Sequence, residues 1–160
     1  MSSFDPKAVS WAKAIGLTQI TPLAAEEIDR KGKNWPKVDA LGELPVPLIK
    51  FKIALGDINE RNDWRLNPKT SIKGGVDYLL FIDNYWKKER NKNLLAPLLE
   101  EDPYADIRAI VASYNFGSAR VRRGILDSGN RWMDQKKLAG SRKYVNRILG
   151  YCHQFSLPKG

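Results

Sequence analysis

Apolar residues recur at helical spacing in three long segments of this chain, and this periodicity constrains the fold more than any other feature. In each segment they stand three or four positions apart, which places them on one face of an α-helix. The three sets are Ile72, Val76, Leu79 and Leu80; Ile107, Ile110, Val111 and Tyr114; and Val145, Ile148, Leu149 and Cys152. No segment alternates apolar and polar residues beside a tight hairpin turn, as paired strands do. The pattern predicts an all-α fold.

Capping residues refine the helix boundaries. Asn67 followed by Pro68 predicts the start of the first helix, and Gly117 predicts the end of the second. Ser141 is the predicted N-cap of the third. Shorter helices are predicted over 22–31, 47–58 and 118–127.

Residues 31–66 differ from the rest because glycines and prolines recur among their charges and apolar residues. Glycine and proline at this frequency are typical of loops, and we interpret these loops as surrounding one helix. We find no internal repeat and no low-complexity tract. We therefore interpret residues 1–160 as a single helical domain in which 31–66 is an elaborated insertion.

The strongest compositional signal is charge, with 27 Lys and Arg against 18 Asp and Glu and a net charge of +9. Such a surface favours a polyanionic partner, namely nucleic acid, anionic lipid or an anionic wall polymer. The basic clusters do not alternate with aromatic residues as a single-strand stacking platform would. No apolar run approaches the roughly 18 residues that cross a bilayer, and no export signal is expected from the first residues.

Several kinds of site are not predicted. The sequence contains no metal-ligand spacing, no phosphate-binding glycine loop and no nucleophile–histidine pattern, so we expect neither a metal nor a cofactor. We interpret Cys152 as a buried thiol and most of the five tryptophans as core residues. Gly74 and Gly75, inside a helical pattern, indicate close helix packing.

Three blocks of sequence stand in a recognisable order. The first is FDPKAVS (4–10) with GLTQITP (16–22), the second is NPKTSIKGGVDYL (67–79), and the third is ASYNFGSARV (112–121) with RKYV (142–145). Together they resemble the soluble lytic transglycosylase (SLT) family, lysozyme-like helical domains of the goose type that cleave bacterial peptidoglycan. That family reads roughly Glu-Ser-x-Phe-x-Pro-x-Ala-x-Ser, Gly-Leu-Met-Gln-x-Met-Pro, Asn-Ile-x-x-Gly-x-x-Tyr-Leu and Ala-Tyr-Asn-x-Gly. Thr18 and Thr21 replace its two Met residues, and Ser71 replaces its Asn.

The resemblance implies cleavage of the β-1,4 bond between N-acetylmuramic acid and N-acetylglucosamine. In the family one glutamic acid protonates the glycosidic oxygen, and its carboxylate then takes the proton of the C6 hydroxyl to give a 1,6-anhydro product. Counting back from Phe4, the position of this glutamate falls on Met1, which cannot transfer a proton. We therefore predict no catalytic residue in the chain as given, and we expect that it lacks the first core helix of the family. The sequence leaves open whether the chain is truncated or is a non-catalytic variant.

The resemblance also implies four glycan-binding residues. Ser10 and Gln19 match positions that line the glycan groove, and Tyr114 and Asn115 match the Tyr-Asn pair that closes the cleft. Each has a plainer interpretation: a local turn cap for Ser10, a buried fold-stabilising amide for Gln19, a core ring for Tyr114 and a helix-end cap for Asn115.

Three functions stay open at this point. The resemblance favours a peptidoglycan lytic transglycosylase of the bacterial envelope, periplasmic or extracellular, with glycan strands as its partner. The alternatives are a non-catalytic module for peptidoglycan binding or envelope assembly and, less favoured, a basic nucleic-acid-binding domain; no nucleic acid is expected as a partner. The face left by a missing helix is expected to allow self-association or pairing with another chain.

Overall fold

The predicted all-α fold is confirmed by a computed structural model, which describes residues 5–156 of the chain. Within that range there are seven α-helices and four short 3-10 helices, and no strand. The α-helices are α1 (Pro22–Asp29), α2 (Val46–Leu55), α3 (Pro68–Trp86), α4 (Glu89–Glu101), α5 (Ala105–Phe116), α6 (Ser118–Ser128) and α7 (Ala139–Ser156). The 3-10 helices are Leu41–Glu43, Trp64–Leu66, Gly129–Asp134 and Lys136–Leu138.

The chain divides into two compact units, Met1–Tyr78 and Leu79–Gly160. The interpretation of residues 1–160 as one domain stays a prediction. α2 lies where the one helix of the insertion 31–66 was predicted.

Side-chain caps fix the starts of two helices in the first unit. Thr21 accepts a hydrogen bond from the backbone N–H of Ala24 at 3.2 Å, ahead of Pro22 at the first position of α1. Asn67 accepts one from the N–H of Thr70 at 3.0 Å, which caps α3. Such caps satisfy N–H groups that have no partner within the helix, and the predicted start of α3 is thereby confirmed.

The core of the first unit is built around the segment that precedes α1. Ile15 is fully buried and forms isolated β-bridges to Val9 and Ile20, so residues 9–20 fold back on themselves without forming a sheet. Ile15 also packs in a cluster with residues of the insertion and of α2. That cluster consists of Ile15, Leu41, Ile49, Ile53, Ile58 and Leu66.

Two glycines of the first unit are required by close approaches. A Cβ on Gly74 would lie 2.2 Å from the ring of Trp64, so the predicted close packing at this position is confirmed. A Cβ on Gly16 would lie 1.9 Å from the carbonyl oxygen of Arg65, and Gly16 also has a φ of +78°. Both positions exclude larger residues on steric grounds.

In the second unit, α5 packs through small side chains. The buried residues of α5 are Ala105, Ala109, Ala112 and Ser113. Ser113 Oγ accepts a hydrogen bond from the indole Nε1 of Trp86 at 2.9 Å and donates one to the carbonyl of Ala109 at 2.6 Å. Alanines and a serine allow the neighbouring backbone to come close, and the hydrogen bond satisfies the buried indole.

The apolar face predicted on α3 is largely exposed. Ile72 and Val76, in the first unit, are 53% and 51% exposed. The buried side of α3 instead presents Ser71, Gly74 and Gly75. Small residues face the interior because bulky neighbours, such as the ring of Trp64, occupy the space next to this side of the helix.

Three details of the second unit differ from the sequence interpretation. Cys152 is exposed, so the prediction of a buried thiol was wrong; the buried positions of α7, Ser141 and Val145, are in its first half. Ser141 does not cap α7, because the helix already begins at Ala139. Helix α4 was not predicted, since charged residues and Pro97 obscure its apolar spacing.

Candidate functional site

Ser10 forms a local turn. Its Oγ accepts a hydrogen bond from the backbone N–H of Ala14 at 3.0 Å, and its own N–H donates to the carbonyl of Ala14 at 2.9 Å. The Lys13 N–H donates to the Ser10 carbonyl at 3.0 Å. These contacts are those of the turn-cap interpretation, and the half-buried side chain still presents a hydroxyl beside the segment 9–20.

Gln19 has the more unusual geometry. Its φ is +53°, a left-handed conformation that costs a residue with a side chain about 1–2 kcal/mol. Its Nε2 donates to the carbonyl of Gly16 at 2.8 Å and to that of Ala8 at 3.3 Å. Within the described residues its Oε1 accepts no hydrogen bond. Strain of this kind is typical of residues held for a function, and the free oxygen is available to a ligand.

Tyr114 and Asn115 are adjacent near the end of α5. Tyr114 is half-buried and Asn115 is exposed. Asn115 Oδ1 accepts a hydrogen bond from Ser141 Oγ on α7 at 3.4 Å, so its side chain is engaged by α7 and does not cap its own helix. The end of α5 is set by Gly117, whose φ is +90° and whose N–H donates to the carbonyl of Ser113 at 2.8 Å.

The four predicted binding residues therefore form two pairs, one in each unit. Ser10 and Gln19 belong to the folded segment before α1, and Tyr114 and Asn115 share the last turns of α5. The glycan groove that the resemblance assigns to all four stays a prediction. Met1, the position of the family's glutamate, lies outside the described residues.

Two departures from the family pattern contact each other. Thr18, at a position where the family has Met, donates from Oγ1 to the Ser71 carbonyl at 2.8 Å and lies 3.0 Å from Ser71 Oγ. Ser71 occupies the position where the family has Asn. The Thr18 hydroxyl thereby satisfies polar groups of Ser71, which is buried.

The sequence interpretation missed a buried ion pair in the first unit. Arg65 donates from Nε to Asp63 Oδ1 at 2.8 Å and from Nη2 to Oδ2 at 2.6 Å, and both side chains are almost fully buried. Arg65 also lines a cavity of about 180 Å³ within this unit. The only sequence signal was the Asp-Trp-Arg spacing, which periodicity does not detect.

Burial raises the pKa of two tyrosines. Burial, together with the charge of Glu27, raises the pKa of Tyr78 in the first unit. Burial alone raises the pKa of Tyr144 in the second unit. Neither ring is ionised near neutral pH, so both phenols are able to donate hydrogen bonds.

No three His, Cys, Asp or Glu side chains within residues 5–156 are grouped so as to hold a metal ion. Among the described helices none combines the length and the apolar composition needed to cross a membrane.

Residues 2–136 match a family model described as Transglycosylase SLT domain. The match covers the first block, which carries Ser10 and Gln19, and residues 112–121 of the third block, which carry Tyr114 and Asn115. No curated protein and no solved structure matches the chain.

Proposed function

The chain belongs to the Transglycosylase SLT domain family, whose model matches residues 2–136, and from this membership we propose that it binds the glycan strands of peptidoglycan. Its function at the family level is of the lytic transglycosylase type. We propose in particular that it acts on the β-1,4 bond between N-acetylmuramic acid and N-acetylglucosamine, with 1,6-anhydro product formation where a carboxylic acid is supplied.

The chemistry needs one acid that changes roles. The acid must give its proton to the glycosidic oxygen and then, as a carboxylate, take the proton of the C6 hydroxyl, so that the sugar closes on itself without water. Acid–base assistance of this kind is worth about 10²–10⁴ in rate. The thioether of Met1, at the position of the family's glutamate, has no proton to give.

The glycan contacts are assigned to the two pairs of binding residues. Gln19 Oε1 is placed to accept from a sugar hydroxyl or an acetamido N–H, since its Nε2 is already held by Gly16 and Ala8. The hydroxyl of Tyr114 and the amide of Asn115 supply donors on the second unit. Ser10 acts mainly by holding the turn that positions Gln19.

Charge and family together favour a site of action at the bacterial envelope. A net charge of +9 promotes encounter with an anionic wall polymer by long-range attraction. A surface of this charge also binds nucleic acid, but the family match does not support that function.

The runner-up is a non-catalytic module that binds peptidoglycan or takes part in envelope assembly. The observation that favours it is Met1 at the position of the acid. Both functions predict binding to the wall, and only the first predicts cleavage.

One experiment separates these functions. The purified chain is incubated with bacterial sacculi, bound protein is measured by co-sedimentation, and released fragments are analysed by mass spectrometry for 1,6-anhydro-muropeptides. A second sample uses Met1→Glu placed behind a new initiator Met. We expect both proteins to co-sediment and the Met1→Glu protein to release more anhydro product.

The outcomes are distinct. Binding by both proteins without anhydro product from either supports the non-catalytic module. Failure of both to bind sacculi at physiological salt contradicts the proposed function. Binding to DNA but not to sacculi, with strong weakening by salt, supports the nucleic-acid alternative.

Matched variants test the assigned contacts. Tyr114→Phe removes one hydroxyl and retains the ring, and we expect binding to sacculi to weaken about two- to tenfold for the loss of one hydrogen bond. Tyr104→Phe, at an exposed position ahead of α5, is the control and should leave binding unchanged. Equal binding by the two variants would remove Tyr114 from the site.

A further inference from the structure

Positive charge is concentrated in one short part of the second unit, which we call the basic segment. It comprises residues 118–147, which contain nine Lys or Arg and two Asp and so hold +7 of the net charge of +9. Both aspartates already pair with cations of the same segment, Asp127 with Lys137 and Asp134 with Arg142. The excess of positive charge favours an anionic partner for this part of the molecule.

Side-chain contacts hold the basic segment together in space. Gln135 Nε2 donates to the carbonyl of Gly124 on α6 at 2.9 Å and to Ser128 Oγ at 2.7 Å. The two ion pairs join the 3-10 helices to α6 on one side and to α7 on the other. The cations of α6 and those at the start of α7 therefore belong to one compact block.

Helix α7 extends beyond the basic segment and has two chemically different sides. At 3.6 residues per turn, its large apolar residues fall within less than half of the circumference, which we call the apolar side. The apolar side includes Val145, Ile148, Leu149, Tyr151, Cys152 and Phe155. The cations of the helix, Arg142, Lys143 and Arg147, fall on the remaining part. Helix α7 is thus a basic amphipathic helix.

The apolar side is covered at one end of α7 and uncovered at the other. Val145 is fully buried, and Ile148 and Leu149 are half-buried. From residue 150 to residue 155 every side chain is exposed, with Tyr151 at 52% and Phe155 at 80%. The stripe that is buried in the first half of the helix therefore continues, in register, past the point where the described chain covers it.

Charge and apolar surface together select the partner. A second copy of the chain docked through the same surface would bring two basic segments together, and like charges repel. A nucleic-acid duplex would contact the cations and leave the aromatic rings in water. A bilayer with anionic lipids offers phosphates to the cations and an apolar boundary to the rings, and basic amphipathic helices bind membranes in this way.

We propose that the exposed end of α7 docks on the surface of an anionic lipid bilayer. Tyr151, Cys152 and Phe155 enter the boundary between headgroups and acyl chains. Arg147, at the edge of the apolar side, reaches a lipid phosphate while its aliphatic stem covers apolar surface. The basic segment adds long-range attraction to the anionic surface. This interaction does not depend on glycan binding, which is assigned to other residues.

Vesicles test the proposal with the whole chain. Sucrose-loaded vesicles contain either phosphatidylcholine alone or equal parts of phosphatidylcholine and phosphatidylglycerol, and bound protein is measured by co-sedimentation. We expect binding to the anionic vesicles to be at least about tenfold tighter than to the neutral ones, since several cations each contribute about fivefold. High salt should weaken the binding because it screens these charges.

One pair of double variants tests the apolar side. Tyr151→Ser with Phe155→Ser should weaken binding to the anionic vesicles by at least about tenfold, because two aromatic rings no longer leave water. Tyr104→Ser with Ile107→Ser is the matched control in the same unit, where these side chains are 59% and 42% exposed. All four side chains are exposed, and circular dichroism checks that both variants fold.

A second pair tests the cations. Lys143→Gln with Arg147→Gln should weaken binding about fivefold or more and reduce its dependence on salt. Arg90→Gln with Lys92→Gln, two exposed positions of α4 outside the basic segment, removes the same charge and should have a smaller effect.

Cys152 gives a readout at the docking surface itself. It is the only cysteine of the chain, and it is exposed on the apolar side. A fluorophore sensitive to polarity is attached to Cys152, and its emission is recorded as vesicles are added. We expect emission to shift to shorter wavelength with anionic vesicles and to stay unchanged with neutral ones.

Several results would overturn the proposal. These are equal binding to both kinds of vesicle or to neither, equal loss in each double variant and its control, and binding that leaves the emission at Cys152 unchanged. A dimer that forms without lipid and is lost with Tyr151→Ser and Phe155→Ser assigns the surface to a second copy. Salt-sensitive binding to duplex DNA without binding to vesicles assigns it to nucleic acid.

Discussion

The two units of the molecule are stabilised by different kinds of contact. The first unit depends on a few atoms in tight places: Gly16 against the Arg65 carbonyl, Gly74 against the Trp64 ring, and the buried pair of Asp63 and Arg65. In the second unit, α5 packs through alanines and a serine, and the ion pairs between described residues are partly exposed. The comparison teaches that one all-α chain can bury an ion pair completely in one unit and keep its ion pairs in contact with water in the other.

The ion pairs show the contrast most directly. In the first unit, Asp63 and Arg65 are 0% and 1% exposed and share two hydrogen bonds. In the second, Lys137 and Asp127 are 3.1 Å apart with about half of each side chain exposed. Water screens the exposed pair, whereas loss of one partner from the buried pair leaves a charge in the interior.

Asp63→Ala is expected to have the largest effect. Removing the carboxylate leaves the Arg65 guanidinium buried and uncompensated, which should lower the free energy of unfolding by about 3–5 kcal/mol. Asp127→Ala in the second unit is the matched change and should cost less than about 1 kcal/mol. Chemical denaturation followed by circular dichroism measures both, and equal losses would break the contrast between the units.

Gly74→Ala should come next in magnitude. The new Cβ would lie 2.2 Å from the buried indole ring of Trp64, so we expect a loss of about 1–3 kcal/mol. Gly150→Ala, in α7, places its Cβ in open space and should stabilise the protein by about 0.5–1 kcal/mol because alanine favours the helix. Melting temperatures that move in the same direction for both variants would contradict this interpretation.

Ser113→Ala tests whether the stability of the second unit depends on a single buried hydrogen bond. The change removes the acceptor of the buried Trp86 Nε1 and should cost about 1–3 kcal/mol. Ser118→Ala, at the start of α6, is the control because no hydrogen bond of its hydroxyl is made to a described residue. If both substitutions leave the free energy of unfolding unchanged, the second unit tolerates the loss of a buried hydrogen bond. The contrast in stability between the two units is then larger than the ion pairs alone indicate.

The smallest effect concerns alkaline pH. Burial raises the pKa of Tyr78 in the first unit and of Tyr144 in the second, so the folded protein holds these phenol protons more tightly than the unfolded chain does. Their contribution to stability is complete below the unfolded pKa of about 10 and is lost as pH rises through the higher folded pKa. The Tyr78→Phe and Tyr144→Phe variants should each lose less stability than the wild type above pH 10.

Glu27 makes the two tyrosines distinguishable. Its charge adds to burial at Tyr78 and has no counterpart at Tyr144. A Glu27→Gln variant should therefore reduce the alkaline loss that is due to Tyr78 and leave that of Tyr144 as it was. Spectrophotometric titration of the phenols against pH measures both, and an identical response of the two rings would contradict the assignment.

The elements were far more predictable from the sequence than the packing was. Helix periodicity located α3, α5 and α7, and turn residues marked the start of α3 and the end of α5, because local sequence determines where a helix forms. They did not reveal that Ile72 and Val76 are exposed, since periodicity reports that a face is apolar and not what covers it. Helix α4 was not predicted because its charged residues and Pro97 obscure the apolar spacing.

The candidate site was predictable only in part, for a similar reason. Ordered motifs placed Gln19 and Tyr114 by resemblance, but nothing in the sequence indicated that Gln19 adopts a left-handed φ or that Thr18 bonds to Ser71. The cavity beside Arg65 joins residues more than forty positions apart along the chain, from Pro22 to Arg65. Contacts of that kind depend on tertiary structure, which no local pattern encodes.

The burial of Asp63 and Arg65 has a consequence for where the segment 31–66 can change. That segment supplies five of the six residues of the buried cluster around Ile15, together with the ion pair itself. A loop on the surface is lengthened at small cost, because each doubling of its length costs only about 0.6 kcal/mol of closure entropy. We therefore expect changes of length to be tolerated in exposed stretches of the segment, such as 31–34, and to be resisted wherever they displace a buried side chain.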